Sequence, residues 1–425
     1  MNGADSGSQA WETIPLRYVC ELNPSVSFDG LDEDDDLTFL PMDRVKSGYF
    51  IPNVDKFAKY GSSYTAFEDG DIVLAKVTPC FENGNIAITD ALVSGKGFGS
   101  SELFVIRPTR AEGRFLFYYF QSIRFKQDGE ASMTGAGGLK RVSPDILRKH
   151  HLPFPSQDIQ CLIADYLDRE TARIDGLIAE KERMLALLEE KRAALISRFV
   201  TRGLDPDVPL KPSGQEWLGE IPAHWDVCQL KRTWTSSDYG LSENIRDEGD
   251  IAVLRMSCIV DGRVDISKSG MIAEADKKLL LRRDDLLFNR TNSLDQIAKV
   301  GIVDFDPETS LTFASYLVRI RVNHRATAQY LATLLNASTF LDFARKNAIP
   351  AIGQANLSPT RYGDLKIPLP PIAEQEEIVA YLTRDAETST PVRDHIRLSI
   401  ELLKERRSAL ISAAITGQFS MDELQ

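Results

Sequence analysis

Cysteine is scarce and scattered: Cys20, Cys80, Cys161, Cys228 and Cys258 are an odd five, and no two form a CxxC pair. That pattern argues against a disulfide framework and a zinc module, and it fits a reducing compartment. The five histidines (His150, His151, His224, His324, His395) fall in no ligand spacing, so no metal is expected. No stretch approaches the run of about 20 apolar residues that a membrane-spanning helix needs. The start, Met1–Trp11, is polar and lacks the apolar centre of a secretory signal. A soluble, cytoplasmic chain without membrane contact is the expectation.

The signatures of common catalysts are missing too. No G-x-x-x-x-G-K-[ST] occurs, which excludes a P-loop. Enzymes that modify a base must extrude it into a pocket, and no Pro-Pro pair preceded by Asn or Asp is present to hold one. The glycine-rich run Gly95–Gly99 lacks dinucleotide spacing and reads as a loop, as does the acidic run Asp32–Asp36. Glu189, Glu190 and Lys191 superficially resemble nuclease residues, but they read as the solvated face of a helix. The chain is expected to carry no catalytic residue and no cofactor.

Positive charge is also short. The net charge is −12, and residues 1–155, 156–214, 215–365 and 366–425 each hold more acidic than basic groups. Proteins that grip phosphates alone usually carry a basic balance. Any nucleic-acid face here must be local, with further phosphate contacts supplied by partner subunits.

What the sequence does have is a repeat. Sliding the chain on itself by 215 residues aligns Gly138–Thr201 with Gly353–Thr416 without a gap, and 19 of 64 positions are identical. Ser143-Pro144 falls on Ser358-Pro359, and Pro153-x-Pro155 on Pro368-x-Pro370. Gln160, Ile163, Tyr166, Leu167 and Arg169 fall on Gln375, Ile378, Tyr381, Leu382 and Arg384. With an offset of 214, Asp71 meets Asp285, Lys76 meets Arg290 and Trp11 meets Trp225. A period this long is a duplication, not a solenoid. Such two-fold repeats suit two-fold ligands, and duplex DNA has that symmetry; a duplicated fold without functional meaning is the bland alternative.

Each copy opens with a variable stretch in which β-rich runs are punctuated by turns: Asp71–Val77 and Ile86–Thr89, then Asp285–Phe288, Val300–Val303 and Tyr316–Val322. Phe115–Phe125 and Gln329–Arg345 read as amphipathic helices. The better-matched stretches differ. Ile159–Thr201 has no proline and one glycine, Gly176, with apolar residues at three- and four-residue steps. Leu177, Lys181, Met184, Leu188, Lys191 and Leu195 follow heptad spacing, as do Val392, Ile396, Ser399, Leu403, Arg406 and Leu410. A helix of such length spans roughly 60 Å and cannot bury its apolar face alone. Packing of the two copies' helices against each other, antiparallel under pseudo-two-fold symmetry, is the economical solution. Pro391, where the first copy has Gly176, predicts a break or kink at the same place in both.

The motifs IPLPPIAEQEEIVAYL (Ile367–Leu382), its echo beginning at Leu152, WLGEIPAHWDV (Trp217–Val227), DLLFNRTNS (Asp285–Ser293) and GQANLSP (Gly353–Pro359) resemble the specificity subunit of type I restriction–modification systems. The resemblance covers nearly the whole chain, in order and twice. Ser156, in place of the second proline of the Pro-Pro pair, and Cys161, in place of an acidic residue, depart from it in the first copy. The resemblance implies an α+β fold: two mixed α/β target-recognition domains separated by two long antiparallel helices. The expected division is recognition domain 1 over 1–155, first spacer helix 156–202, linker 203–224, recognition domain 2 over 225–370, and second spacer helix with tail 371–425. It implies a non-catalytic subunit that reads a bipartite site in double-stranded DNA and directs two methyltransferase (modification) subunits to it. Motor-nuclease (restriction) subunits would join through the complex.

Base reading favours Arg, Lys, Asn, Gln, Ser and Thr on loops and element ends. The candidates lie where strands end and the copies diverge. In the first domain they are Lys76, Thr78, Asn83 and Asn85, with Lys140 and Arg141 after the flexible-looking run Thr134–Gly138. In the second they are Asn289, Arg290, Thr291, Asn292 and Ser293, with Gln354 and Asn356. The acidic charge leaves one competing reading, a scaffold whose domains bind proteins.

Overall fold

The stretches poor in proline and glycine form two long helices, Gln157–Arg202 and Ile372–Ile415. The computed structural model describes residues 11–59, 64–136, 138–242, 245–246, 248–351 and 353–424; the polar start Met1–Ala10 and Gly137 lie outside the described residues. Neither Gly176 nor Pro391 breaks its helix. Each long helix is divided between two compact units, Met1–Glu182 with Arg397–Gln425 and Arg183–Ile396.

In the first unit, Arg407 bonds Asp175 at 2.9 Å and Lys404 faces Glu182 at 3.8 Å. In the second, Arg393 bonds Glu189 at 3.0 Å, and the Phe199 ring meets Tyr381 at 4.9 Å. Rising numbers on one helix meet falling numbers on the other, so the helices run antiparallel. The heptad pattern overstates their seam. Ile174, Ile396 and Ile400 are buried, whereas Leu177, Met184 and Val392 are exposed. A pair of helices has one stripe to bury, and the remaining apolar residues stay in solvent.

The mixed domain of the first unit holds two four-stranded sheets. One is antiparallel, in the order Cys20–Leu22, Leu103–Pro108, Ile72–Ala75, Ile86–Ile88. The other runs Val54–Lys56, Asp36–Leu40, Lys96–Gly99, Thr65–Glu68, with its middle pair parallel. The glycine-rich run is thus a central strand and not a loop. A Cβ at Gly97 would lie 2.5 Å from the Thr38 carbonyl oxygen, so glycine here permits close pairing. The second unit has a six-stranded sheet whose first four strands are Trp234–Tyr239, Leu317–Val322, Leu286–Asn289 and Val300–Ile302, and a three-stranded sheet beside it.

The two amphipathic segments are helix pairs rather than single helices: Gly113–Gln121 with Ile123–Ala131, and Ala328–Leu335 with Ser338–Lys346. Ser122 adopts an extended backbone and caps the second helix of its pair. Its counterpart Asn336 spends its side chain on Ala332 and on both backbone groups of Val300. Side-chain bonds to the backbone compete with helix continuation in this way.

Each domain is tied to its long helix in the same way. Glu12–Pro15 pairs with His151–Phe154, and Asp226–Gln229 pairs with Lys366–Leu369 in the equivalent register. Trp11 packs on Gly417 and Trp225 on Gly203, two glycines at φ +74° that end the long helices; a Cβ at either would come within 3.3 Å of its indole. One aromatic core gathers Phe115, Phe120 and Phe125 with Ile163 and Ile411; the other gathers Trp225, Tyr330, Phe340 and Tyr362 with Ile378.

Candidate nucleic-acid interface

In each unit the end of one central strand meets a β-hairpin, and the backbone frame repeats bond for bond. In the first, Lys76 N–H donates to the Glu102 carbonyl at 3.1 Å, and Val142 N–H donates to the Lys76 carbonyl at 2.8 Å. In the second, Arg290 N–H donates to the Tyr316 carbonyl at 3.1 Å, and Leu357 N–H donates to the Arg290 carbonyl at 2.8 Å. The hairpins are Thr134–Ala136 with Leu139–Arg141, and Ile349–Ala351 with Gln354–Asn356.

Beneath the frame lies a repeated ion pair. Arg107 grips Asp71 with two bonds of 2.7 Å, and Arg321 grips Asp285 at 2.8 and 3.2 Å. Both carboxylates are fully buried and also accept a backbone N–H, from Glu68 and Arg282. A buried charge must be satisfied this completely. These pairs hold the strands in place.

On this common frame the side chains differ almost everywhere. In the first unit Arg141 bonds both carboxylate oxygens of Glu102, at 2.9 and 2.8 Å. That bond holds the Glu102 carboxyl below its usual range. The Lys76 ammonium sits 5.3 Å from the Phe104 ring centroid; burial pushes its pKa down, Glu102 opposing and Arg141 adding. Thr78 braces the hairpin, its hydroxyl donating to the Gly138 carbonyl and accepting from Lys140 N–H, both at 2.9 Å. The Thr134–Gly138 run is therefore strand and turn in its described part. Asn83 is exposed and Asn85 half-buried, both in the turn that enters Ile86–Ile88. Lys140 is exposed on the hairpin.

In the second unit Asn289 ends its strand fully buried, with its Oδ1 unpartnered. The Arg290 guanidinium lies 5.0 Å from the Tyr239 ring centroid, and its Nε is buried without a hydrogen bond. Thr291 and Asn292 pair with the hairpin; Asn356 Nδ2 donates to the Thr291 hydroxyl at 3.0 Å. Asn292 Oδ1 accepts from Ser293 N–H at 2.8 Å. Gln354 is exposed on the hairpin. A hollow of about 470 Å³, lined by Leu241, Ser242, Arg255 and Tyr316 among others, adjoins this face.

The structure thus gathers Lys76, Thr78, Lys140 and Arg141 at one frame and Arg290 to Asn292, Gln354 and Asn356 at the other. Glu102, Tyr239 and Tyr316 join them without having been singled out by sequence. Glu102 and Tyr316 share a repeat position, which the alignment could have revealed; Tyr239 comes from a strand about fifty residues upstream and gives no local signal.

The chain matches the model of the type I restriction modification DNA specificity domain twice, over residues 9–184 and 225–395. It is 23% identical to the EcoEI specificity subunit of Escherichia coli, over 96% of this chain and 83% of that protein. To the MjaVIII specificity subunit of Methanocaldococcus jannaschii it is 21% identical, over 97% of this chain and 94% of that one. A chain from a structural study of the assembly and conformational transition of the type I R-M system superposes with a TM-score of 0.72 at 16% identity, over 97% of this chain and 99% of the other.

Proposed function

The chain belongs to the type I restriction–modification DNA specificity family: it is a non-catalytic subunit that recognises DNA for the complex, and we propose how its residues do so. Each recognition domain reads one half of a split sequence with the face built from its strand end and hairpin. In the first domain the readers are Lys76, Thr78, Lys140 and Arg141, flanked by Asn83 and Asn85. In the second they are Arg290, Asn292, Ser293, Gln354 and Asn356; Asn289 and Thr291, both buried, act by holding that loop. The observation that carries this reading is the repeated backbone frame with divergent side chains. A fixed frame with interchangeable side chains is what reading two different sequences requires.

Modification and restriction subunits are the general partners. The chain presents equivalent surfaces twice: the turns at Pro153–Pro155 and Pro368–Pro371, and exposed Leu187 and Leu402 on the long helices. We assign these to two copies of one modification subunit, in the cytoplasm where the DNA is. The test is adenine methylation mapped by single-molecule sequencing, with and without this gene beside its methyltransferase. Loss of a two-part methylated sequence on deletion supports the reading; an unchanged methylome with the partner expressed contradicts it.

A further inference from the structure

Most arginines near the two reading faces are committed to the frame. Arg107, Arg319 and Arg321 are spent on Asp71, Asp238 and Asp285. Two are held differently. Arg141 is gripped along one edge, its Nε and Nη2 donating to the two oxygens of Glu102. Arg290 is held against an aromatic ring, its Cζ lying over the half-exposed Tyr239 ring at 5.0 Å from the centroid. No carboxylate bonds Arg290 among the described residues.

These holds share a geometric consequence. The carboxylate occupies one edge of Arg141 and leaves Nη1 and the outer hydrogen of Nη2 to donate. An aromatic ring takes up no N–H of Arg290 as a carboxylate would, so with Nε buried the two terminal Nη groups are the fork left to donate. Guanine is recognised by just such a fork, two parallel N–H groups meeting O6 and N7 in the plane of the base. An unrestrained arginine would have to surrender rotamer freedom first, and fixing it beforehand removes part of that cost. Neither Glu102 nor Tyr239 is buried in a core, so their side chains are not needed to fill one.

We propose that Glu102 and Tyr239 are positioning residues that fix Arg141 and Arg290 for two-bond reading of guanine, one guanine in each half-site. This rests on the reading faces proposed above and extends them to residues that touch no base themselves.

The test uses the full chain expressed with its modification subunits. Methylated sequences are compared for wild type, Arg141→Ala, Arg290→Ala, Glu102→Gln, Tyr239→Ala and Tyr239→Phe. The wild-type sequence should carry guanine in both halves. Glu102→Gln should relax the same position as Arg141→Ala, in the first half only. Tyr239→Ala should relax the same position as Arg290→Ala, in the second half only, and Tyr239→Phe, which keeps the ring, should retain discrimination. Where a variant abolishes methylation, binding of the purified complex to duplexes with 7-deazaguanine replaces that readout. Loss of the N7 acceptor should weaken wild type about fivefold or more, as for one good base contact, and Tyr239→Ala or Glu102→Gln distinctly less. A half-site without guanine, or full discrimination retained by Glu102→Gln and Tyr239→Ala while the arginine variants lose it, overturns the positioning roles alone. Arginine variants that leave both halves intact would instead overturn the reading faces.

Discussion

Gln160 and Gln375, 215 positions apart and both buried, share two bonds in the two units, to which Gln375 adds one to the Arg325 carbonyl at 3.0 Å. Each Oε1 accepts the N–H of a helix-capping residue, Glu112 or Thr327, at 2.9 Å. Each Nε2 donates to the carbonyl of the proline that precedes the long helix, Pro155 at 2.8 Å and Pro370 at 2.9 Å. One side chain thus joins three segments: the domain's own helix, the turn and the long helix. This is how a variable domain can be rebuilt in sequence while its attachment stays fixed.

Replacing either glutamine by alanine should loosen its own unit. The orphaned carbonyl is buried and the N–H partly so, and a buried group left unsatisfied costs about 1–3 kcal/mol. Hydrogen exchange followed by mass spectrometry should show roughly ten- to hundredfold faster exchange around Glu112–Leu116 in Gln160→Ala, with Thr327–Leu331 unchanged. Gln375→Ala should do the reverse. Equal loosening of both segments by one substitution would refute independent attachment.

His150 makes the first unit sensitive to acid. Its ring packs against Tyr119 and Phe125, and burial pushes its pKa below 6.5 despite Asp128 at 3.5 Å. The unfolded chain therefore takes up the proton first, and stability falls as pH drops below about 6.5 toward the depressed folded value. Thermal melting across pH 7.5 to 5.5 should show a decline that His150→Phe diminishes. An identical decline in the variant would assign the sensitivity elsewhere.

Much of the fold was legible in the sequence because duplication makes its own alignment. The shared Gln, Tyr-Leu and Pro-x-Pro positions marked the long helices, and Asp71 over Asp285 marked the strands that carry the proposed reading faces. Three features escaped for physical reasons. Gly97 looked like a turn because glycine is common there, whereas here it relieves a steric contact between strands. The helix breaks at Ser122 and Asn336 go with side-chain bonds, a cap at Ser122 and, at Asn336, bonds that reach Val300 far along the chain. Asn289 looked like a surface reader because it is polar, but it closes a buried strand.

The acidic balance bears on affinity. A chain at −12 that meets phosphates with a few local cations should bind duplex DNA weakly alone and release few counterions. Binding titrations from 50 to 200 mM salt, on the order used to measure such slopes, should give a shallow dependence for the isolated chain. The assembled complex should give a steeper one. Tight, steeply salt-dependent binding by the chain alone would mean that this charge distribution has been misread.

The most direct test of two independent reading faces is a pair of methylation maps, from cells carrying Lys76→Ala and Arg290→Ala in the full complex. Each substitution should cost about 1–3 kcal/mol of discrimination at one position. Lys76→Ala should relax only the first half-site and Arg290→Ala only the second. Relaxation of both halves by either substitution would contradict the account.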